Sequence, residues 1–279
     1  MKYYIKNIVN YFYHSFKNKR LIKSNIFKKK NSDTLFILGS GESINSIKIW
    51  DQIEAHDSVG FNYFIFNNFV PNFYVFESTY PECEDEYNAQ LSLIEKKINK
   101  LKSTKVFLKI SRGFEGIKKI LDKNSINYKL LFELNFYSND VEELKKKITH
   151  KKYYLIKDYL LLGQGVASIE RLCLKAFFSG YKKIVLCGVD LNNSHYFFEK
   201  NQLLNEDLKK ISNKIMESKK KVHKGGSHIT SDIKYCKGGI VVQDVLSIYQ
   251  KYIFKDKSQI FVENENSLLK QFFPVYNDF

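Results

Sequence analysis

The sequence contains no run of about 18 or more apolar residues, so no segment reads as a membrane-spanning helix. Its first residues lack the short apolar core and small-residue cleavage site of a secretory signal, which gives the expectation of a cytoplasmic protein. Four cysteines, Cys83, Cys173, Cys187 and Cys236, are scattered without a CxxC pair. That excludes a disulfide framework and suits a reducing compartment, where a thiol in an apolar run behaves as a small hydrophobe. There is no Gly-Lys-Ser/Thr after a glycine loop and no third glycine of a dinucleotide fingerprint, so neither motif is present in full. No zinc-finger spacing, aromatic RNA-binding strand pair, internal repeat or low-complexity tract occurs, and nucleic acid is not the expected partner.

What is abundant is positive charge. Forty-five Lys and Arg against 30 Asp and Glu leave a formal charge of +15, which calls for an anionic substrate or surface. The leader, residues 1–32, interleaves Lys2, Lys6, Lys17, Lys19, Arg20 and Lys23 with Tyr3, Tyr4, Ile8, Val9, Tyr11, Phe12 and Phe16. Apolar residues at that spacing form one face of a helix whose basic neighbours meet lipid phosphates. The favoured reading is therefore a peripheral contact with an anionic membrane surface at the inner face of the cytoplasmic membrane. The alternative is a basic leader that packs on the domain or stays disordered.

From residue 33 onward the pattern alternates strand and helix, the signature of an α/β domain with a parallel sheet flanked by helices in the Rossmann-like manner. A single domain over 33–279 is expected. Short apolar runs predict strands at 34–38, 57–61, 72–76, 104–110, 184–188 and 258–262. Helices are predicted near 87–102, 113–123, 140–150, 168–179 and 239–252, with Ser168 as the N-cap of the clearest one. Residues 191–227 form a polar insertion after the fifth strand. It reads equally as a lid over the site or as a solvated excursion with a helix at 202–217.

In an open parallel sheet, ligands bind beyond the carboxyl ends of the strands. The first strand ends in Gly39-Ser40-Gly41, where glycines allow close backbone approach and the amides lead into a helical turn. The second ends at Asn62 and the third at Glu77. The fifth runs into Gly188-Val189-Asp190, followed by Asn192, Asn193, His195 and Tyr196. Each of these residues also suits a satisfied turn. Of six histidines, His228 follows a glycine-rich stretch and is the natural general base near neutral pH. A metal held by His223, His228, Asp232 and Cys236 matches no recognised zinc spacing.

These anchors resemble, in order, the bacterial sialyltransferases that cap surface lipooligosaccharide and, more loosely, the wider sialyltransferase-like fold that includes Kdo transferases. The family's first strand and Gly-Asn-Gly-Pro-Ser-Leu turn are similar to residues 35–38 and Gly39-Ser40-Gly41-Glu42-Ser43-Ile44. Its Asn before an aromatic pair looks like Asn62-Tyr63-Phe64. Its Thr-Ser helix start, Leu-Gly-Tyr-Lys end and Ser-Gly-Ile-Asp strand end resemble Ala167-Ser168, Ser179-Gly180-Tyr181-Lys182 and Cys187-Gly188-Val189-Asp190. His228 with Thr230-Ser231-Asp232 resembles the close of the family's lid. The resemblance spans residues 34–80 and 160–270.

It implies a glycosyltransferase that moves an acidic sugar (sialic acid, Kdo or a related nonulosonate) from a CMP-sugar donor to a bacterial surface glycan or glycolipid acceptor. No metal and no cofactor besides the donor is implied, and a homo-oligomer stays open. His228 would be the general base and Tyr196 would hold the leaving phosphate, with Gly39, Ser40, Gly41, Asn62, Glu77, Ser168 and Asp190 at the donor site. The chain departs from the family where a second tyrosine is replaced by Leu191-Asn192 and a strand-end Asn by Glu77. The latter keeps a retaining route through a carboxylate in view. Two other readings compete: a pterin pyrophosphokinase-like or flagellin-glycosylation-type enzyme, with a metal held by Glu82, Glu84, Asp85 and Glu86, and a non-catalytic, membrane-associated glycan-binding module.

Overall fold

A computed structural model describes Ile26, Phe27 and residues 32–131, 133–135, 137–149, 161–193, 195–199, 204–222 and 228–277. Nearly all of the basic leader, on which the membrane expectation rests, lies outside the described residues, as do His14, His150, Ser194, His223 and residues 224–227.

Seven strands build the main sheet: β1 (Thr34–Leu38), β2 (Asp57–Phe61), β3 (Phe73–Phe76), β4 (Lys105–Lys109), β5 (Tyr128–Leu131), β8 (Lys183–Cys187) and β9 (Gln259–Val262). Between them β6 (Glu133–Asn135) and β7 (Leu161–Gly163) form a short parallel pair. β1, β2 and β3 are buried along their whole length. That is why they read as continuous apolar runs: both faces of a parallel sheet are covered. The order is β5-β4-β3-β2-β1-β8-β9, with every pairing parallel. The chain walks outward from β1 to β5 and then returns to β1's other side with β8. The step between β1 and β8 is therefore the topological switch point, the usual place for a ligand crevice.

All six expected strands are present, within one or two residues of the expected ends. β5 was not expected. Its four residues are too few to show a period, and Lys129 breaks the apolar run by pointing outward at the edge of the sheet.

Helices α1 (Trp50–Ala55), α2 (Glu84–Lys97), α3 (Phe114–Lys123) and α6 (Glu206–Val222) pack on one face through Ile53, Leu93, Ile117 and Ile211. Helices α4 (Val141–Thr149), α5 (Ser168–Phe178) and α7 (Val242–Tyr249) cover the other through Leu144, Leu172 and Val245. α7 starts three residues later than expected because Gly238 and Gly239 adopt φ of +70° and +65°, outside any right-handed helix.

Within the 191–227 insertion, α6 begins after Asn205, whose side chain accepts a hydrogen bond from the Leu208 amide at 3.0 Å. This N-cap shifts the helix toward the C-terminus from the expected 202–217. Leu208, Ile211 and Ile215 are buried on one side of α6, which packs along α2. At about 1.5–3 kcal/mol for each buried apolar side chain, α6 is firmly seated on the domain.

Candidate functional site

The turn after β1 is fixed by the turn after β8. The Gly39 amide donates to the Cys187 carbonyl and the Gly41 amide to the Gly188 carbonyl, both at 2.8 Å. A Cβ on Gly39 would lie 2.5 Å from the Gly188 carbonyl oxygen, and one on Gly41 would lie 2.5 Å from an Asp190 carboxylate oxygen. Both glycines are therefore required by the contact between the two turns. Asp190 is the bolt of this contact: one oxygen accepts from the Ser43 amide and the other from the Asn264 side chain, each at 3.0 Å. Its carboxylate is buried and engaged within the protein, so the structure places Asp190 under the turn and gives it a holding role there.

Above this turn the structure gathers several predicted residues. Residues 196–197 run back along the glycine turn, with a bridge between Gly41 and Tyr196 and the Phe197 amide donating to the Ser40 carbonyl. Asn62, directly after β2, adopts φ of +51°. The left-handed conformation costs most residues about 1 kcal/mol or more, and Asn tolerates it best. The next residue, Tyr63, meets Tyr196 edge to face at 6.0 Å. Among the described residues, no hydrogen bond is made by the side chains of Asn62, Ser40 or Tyr196. Burial pushes the Tyr196 phenol above its ordinary pKa, with Lys219 opposing, so its hydroxyl is a donor at neutral pH.

Glu77 and Ser168 are brought into direct contact two strands away. The Ser168 hydroxyl donates to one oxygen of Glu77 and the Lys109 ammonium meets the other. Ser168 is not the helix cap that the sequence predicts. Ala167 occupies that position, and Ser168 is the first helical residue, its hydroxyl drawn across to the carboxylate. Burial pushes the Glu77 pKa up, but Lys109 and Arg171 outweigh it and hold the group below the ordinary carboxylate value.

Beneath Glu77 lies an ionic network that the sequence did not announce. Glu133 meets Lys109 at 3.3 Å and Arg171 at 3.2 Å, and also accepts from Lys175. Next to Arg171, Glu170 is fully buried, and one of its oxygens accepts from the Gly165 amide at 2.5 Å. Its other oxygen has no hydrogen-bond partner among the described residues. Burial, opposed by Arg171, raises the Glu170 pKa to about 7. Because the folded protein binds this proton more tightly than the unfolded chain, stability declines as pH rises from about 4.5 to 7, by of order 3 kcal/mol. Glu170→Gln should remove that decline. Urea unfolding is expected to find the variant more stable than wild type at pH 8 and about equal at pH 5, and an unchanged pH slope would contradict the assignment.

His228 docks on the loop that leaves β8. Its amide donates to the Leu191 carbonyl at 3.3 Å, and Ser231 donates its hydroxyl to the same oxygen at 2.9 Å. Leu191 itself is left-handed, at φ of +62°. His228 Nδ1 lies 2.9 Å from Thr230 Oγ1. The Thr230 amide also lies 3.4 Å from Nδ1. When Nδ1 accepts from that amide the proton is on Nε2, and when Nδ1–H donates to the Thr230 hydroxyl Nε2 carries the basic lone pair. The following residues, Ile229 and Thr230, line a cleft of about 270 Å³ together with Tyr137, Gln164, Gly165 and Tyr235. Tyr137 and Tyr235 are both exposed at its rim.

Of the acidic residues considered for a metal, Glu82 pairs with Arg112 at 3.3 Å and Glu86 turns inward to Tyr63. Asp232 caps the Lys234 amide at 3.0 Å, and the Cys236 thiol lies 3.5 Å from the carbonyls of Ile229 and Thr230. No helix among the described residues is long and apolar enough to cross a membrane.

No protein-family model and no curated protein matches the chain. Several solved structures do. The monofunctional α-2,3-sialyltransferase Cst-I of Campylobacter jejuni is 20% identical, with 94% of this chain and 86% of that one covered at a TM-score of 0.45. An α-2,3-sialyltransferase of the same organism in apo form is 19% identical, with 93% and 87% covered at 0.42. The C. jejuni sialyltransferase CstII, in complex with the substrate analogue CMP-3FNeuAc, is 18% identical, with 88% and 86% covered at 0.42.

Proposed function

We propose that the chain is a glycosyltransferase that takes an acidic sugar from a CMP-sugar donor and passes it to a glycan acceptor. The observation that carries this reading is the convergence at the β1/β8 switch point. Asn62, Ser40 and Tyr196 present side-chain polar groups that have no hydrogen-bond partner among the described residues around the glycine turn, while His228 docks against the β8 loop beside an aromatic-rimmed cleft. The resemblance of these anchors to the bacterial sialyltransferases supports the same assignment. In this reading the donor lies over the glycine turn and the acceptor enters by the cleft, where Tyr137 and Tyr235 offer faces to a sugar ring.

The chemistry asked of the side chains is modest. His228 Nε2 takes the proton of the acceptor hydroxyl as that oxygen attacks the anomeric carbon and the bond to the CMP phosphate breaks. The Tyr196 hydroxyl donates toward the charge that grows on the departing phosphate. Glu77 is held by Lys109 and Ser168 as a fixed wall of the site. The basic leader is the proposed contact with an anionic membrane surface.

Thermal unfolding tests the donor class. CMP at about 100 times its Kd should stabilise the fold by about 2.7 kcal/mol, a rise of several degrees in Tm, and EDTA should leave that rise intact. A response to ATP with magnesium and none to CMP would replace this reading with the pyrophosphokinase-like one.

A further inference from the structure

Lys219 lies on α6, in a charged run that composition alone assigns to solvent. The structure brings it inward. Its ammonium pairs with Glu86 at 2.9 Å and sits 6.0 Å from the centroid of the Tyr63 ring. Glu86 is buried and also accepts the Tyr63 hydroxyl at 2.6 Å. The Tyr63 ring in turn meets Tyr196, which bridges to Gly41. Lys219, Tyr63 and Tyr196 thus adjoin at the strand end that carries Asn62, and among the described residues the Tyr196 hydroxyl has no hydrogen-bond partner.

Glu86 is buried while the Lys219 side chain stays 24% exposed, and a pair of this kind is weak evidence for stability. Glu86 takes one of the three ammonium N–H donors, and among the described residues no other acceptor takes the remaining two. The side-chain rotamer is fixed by the pair and by the Tyr63 face, so a ligand anion would meet a cation whose conformational freedom is already largely lost. Burial works against the charge, but Tyr196 and Glu86 outweigh it and hold the Lys219 pKa above the ordinary lysine value.

We propose that Lys219, positioned by Glu86 beside Tyr63 and Tyr196, is the cation of a phosphate subsite that receives the phosphate monoester of the bound nucleotide. The proposal rests on the CMP-donor reading and assigns the phosphate end of that donor to a residue of the insertion. The Tyr196 hydroxyl and the Asn62 side chain complete the subsite as neutral partners. An ammonium in direct contact with the phosphate outweighs the repulsion of Glu86, which stands one contact further away behind it.

The test compares CMP with cytidine, which lacks the phosphate, by calorimetric titration of the full chain. Wild type is expected to bind CMP more tightly than cytidine. Lys219→Met should weaken CMP by about 10-fold or more, the worth of a charge-assisted hydrogen bond, and leave cytidine unchanged. Lys219→Arg should keep most of the preference, and it also serves as the folded comparison if the methionine variant is unstable. A wild-type preference for CMP that survives in Lys219→Met, or is lost equally in a well-folded Lys219→Arg, would overturn the subsite while leaving the donor reading standing. Wild-type chain that binds neither ligand would overturn the donor reading itself, and the subsite with it.

Discussion

Replacing His228 with alanine should lower turnover by on the order of 100- to 10,000-fold, the usual worth of a positioned proton transfer, with donor affinity little changed. The geometry gives this loss a signature that damage to the loop would not produce. Thr230 meets Nδ1 with its hydroxyl at 2.9 Å and its amide at 3.4 Å, and the general-base role needs the tautomer in which Nδ1–H donates to the hydroxyl. Thr230→Val should therefore lower turnover less than His228→Ala and change its pH profile, while Thr230→Ser, which keeps the hydroxyl, should restore it. His195→Ala is the control on the same side of the molecule. That ring is exposed and pairs with Glu199 at 3.2 Å, so turnover should stay near wild type. Near-normal turnover in His228→Ala would remove the histidine mechanism and turn attention to the carboxylate of Glu77, which is partly exposed at a strand end.

The sequence revealed the scaffold better than the chemistry, and the reason is physical. β1, β2 and β3 are covered on both faces, so each leaves an apolar run that needs no partner to be recognised. The position of Gly39-Ser40-Gly41 at the end of the first such run followed directly. Residues whose meaning depends on a distant contact were not legible. Ser168 looks like a helix cap until Glu77, 91 residues away in sequence, is seen to take its hydroxyl. Glu170, Arg171 and Lys175 lie on what periodicity makes the solvent face of α5, yet β6 supplies Glu133 to bury two of them. Lys219 reads as one of three consecutive lysines in the polar 191–227 insertion. Only the packing of α6 along α2 turns it toward Tyr63. In each case the missing information is a tertiary charge partner, which overrides a local pattern.

Glu133 is where that override carries the largest consequence for stability. Three cations, Lys175, Lys109 and Arg171, converge on its carboxylate, and the side chains of Glu133, Arg171 and Lys175 are almost wholly buried. Removing one partner of a buried pair leaves an uncompensated charge and typically costs about 3–5 kcal/mol, so Glu133→Gln should lose about that much in urea unfolding at pH 7. Burial alone would raise the Glu133 pKa, but Lys175, Lys109 and Arg171 outweigh it and hold the group far below the ordinary carboxylate value. A depressed pKa of this kind contributes stability above the unfolded value near 4.5 and loses it as pH falls toward the folded value. Wild type should accordingly weaken steeply below about pH 4, whereas Glu133→Gln should begin from a lower plateau and weaken less. Glu133→Leu combined with Lys175→Met should recover part of the loss, because it removes both charges of one pair, although Arg171 and Lys109 still lose a partner. Equal stability of wild type and Glu133→Gln across this pH range would mean that the three cations are balanced without Glu133, leaving Glu77 and Glu170 to hold them.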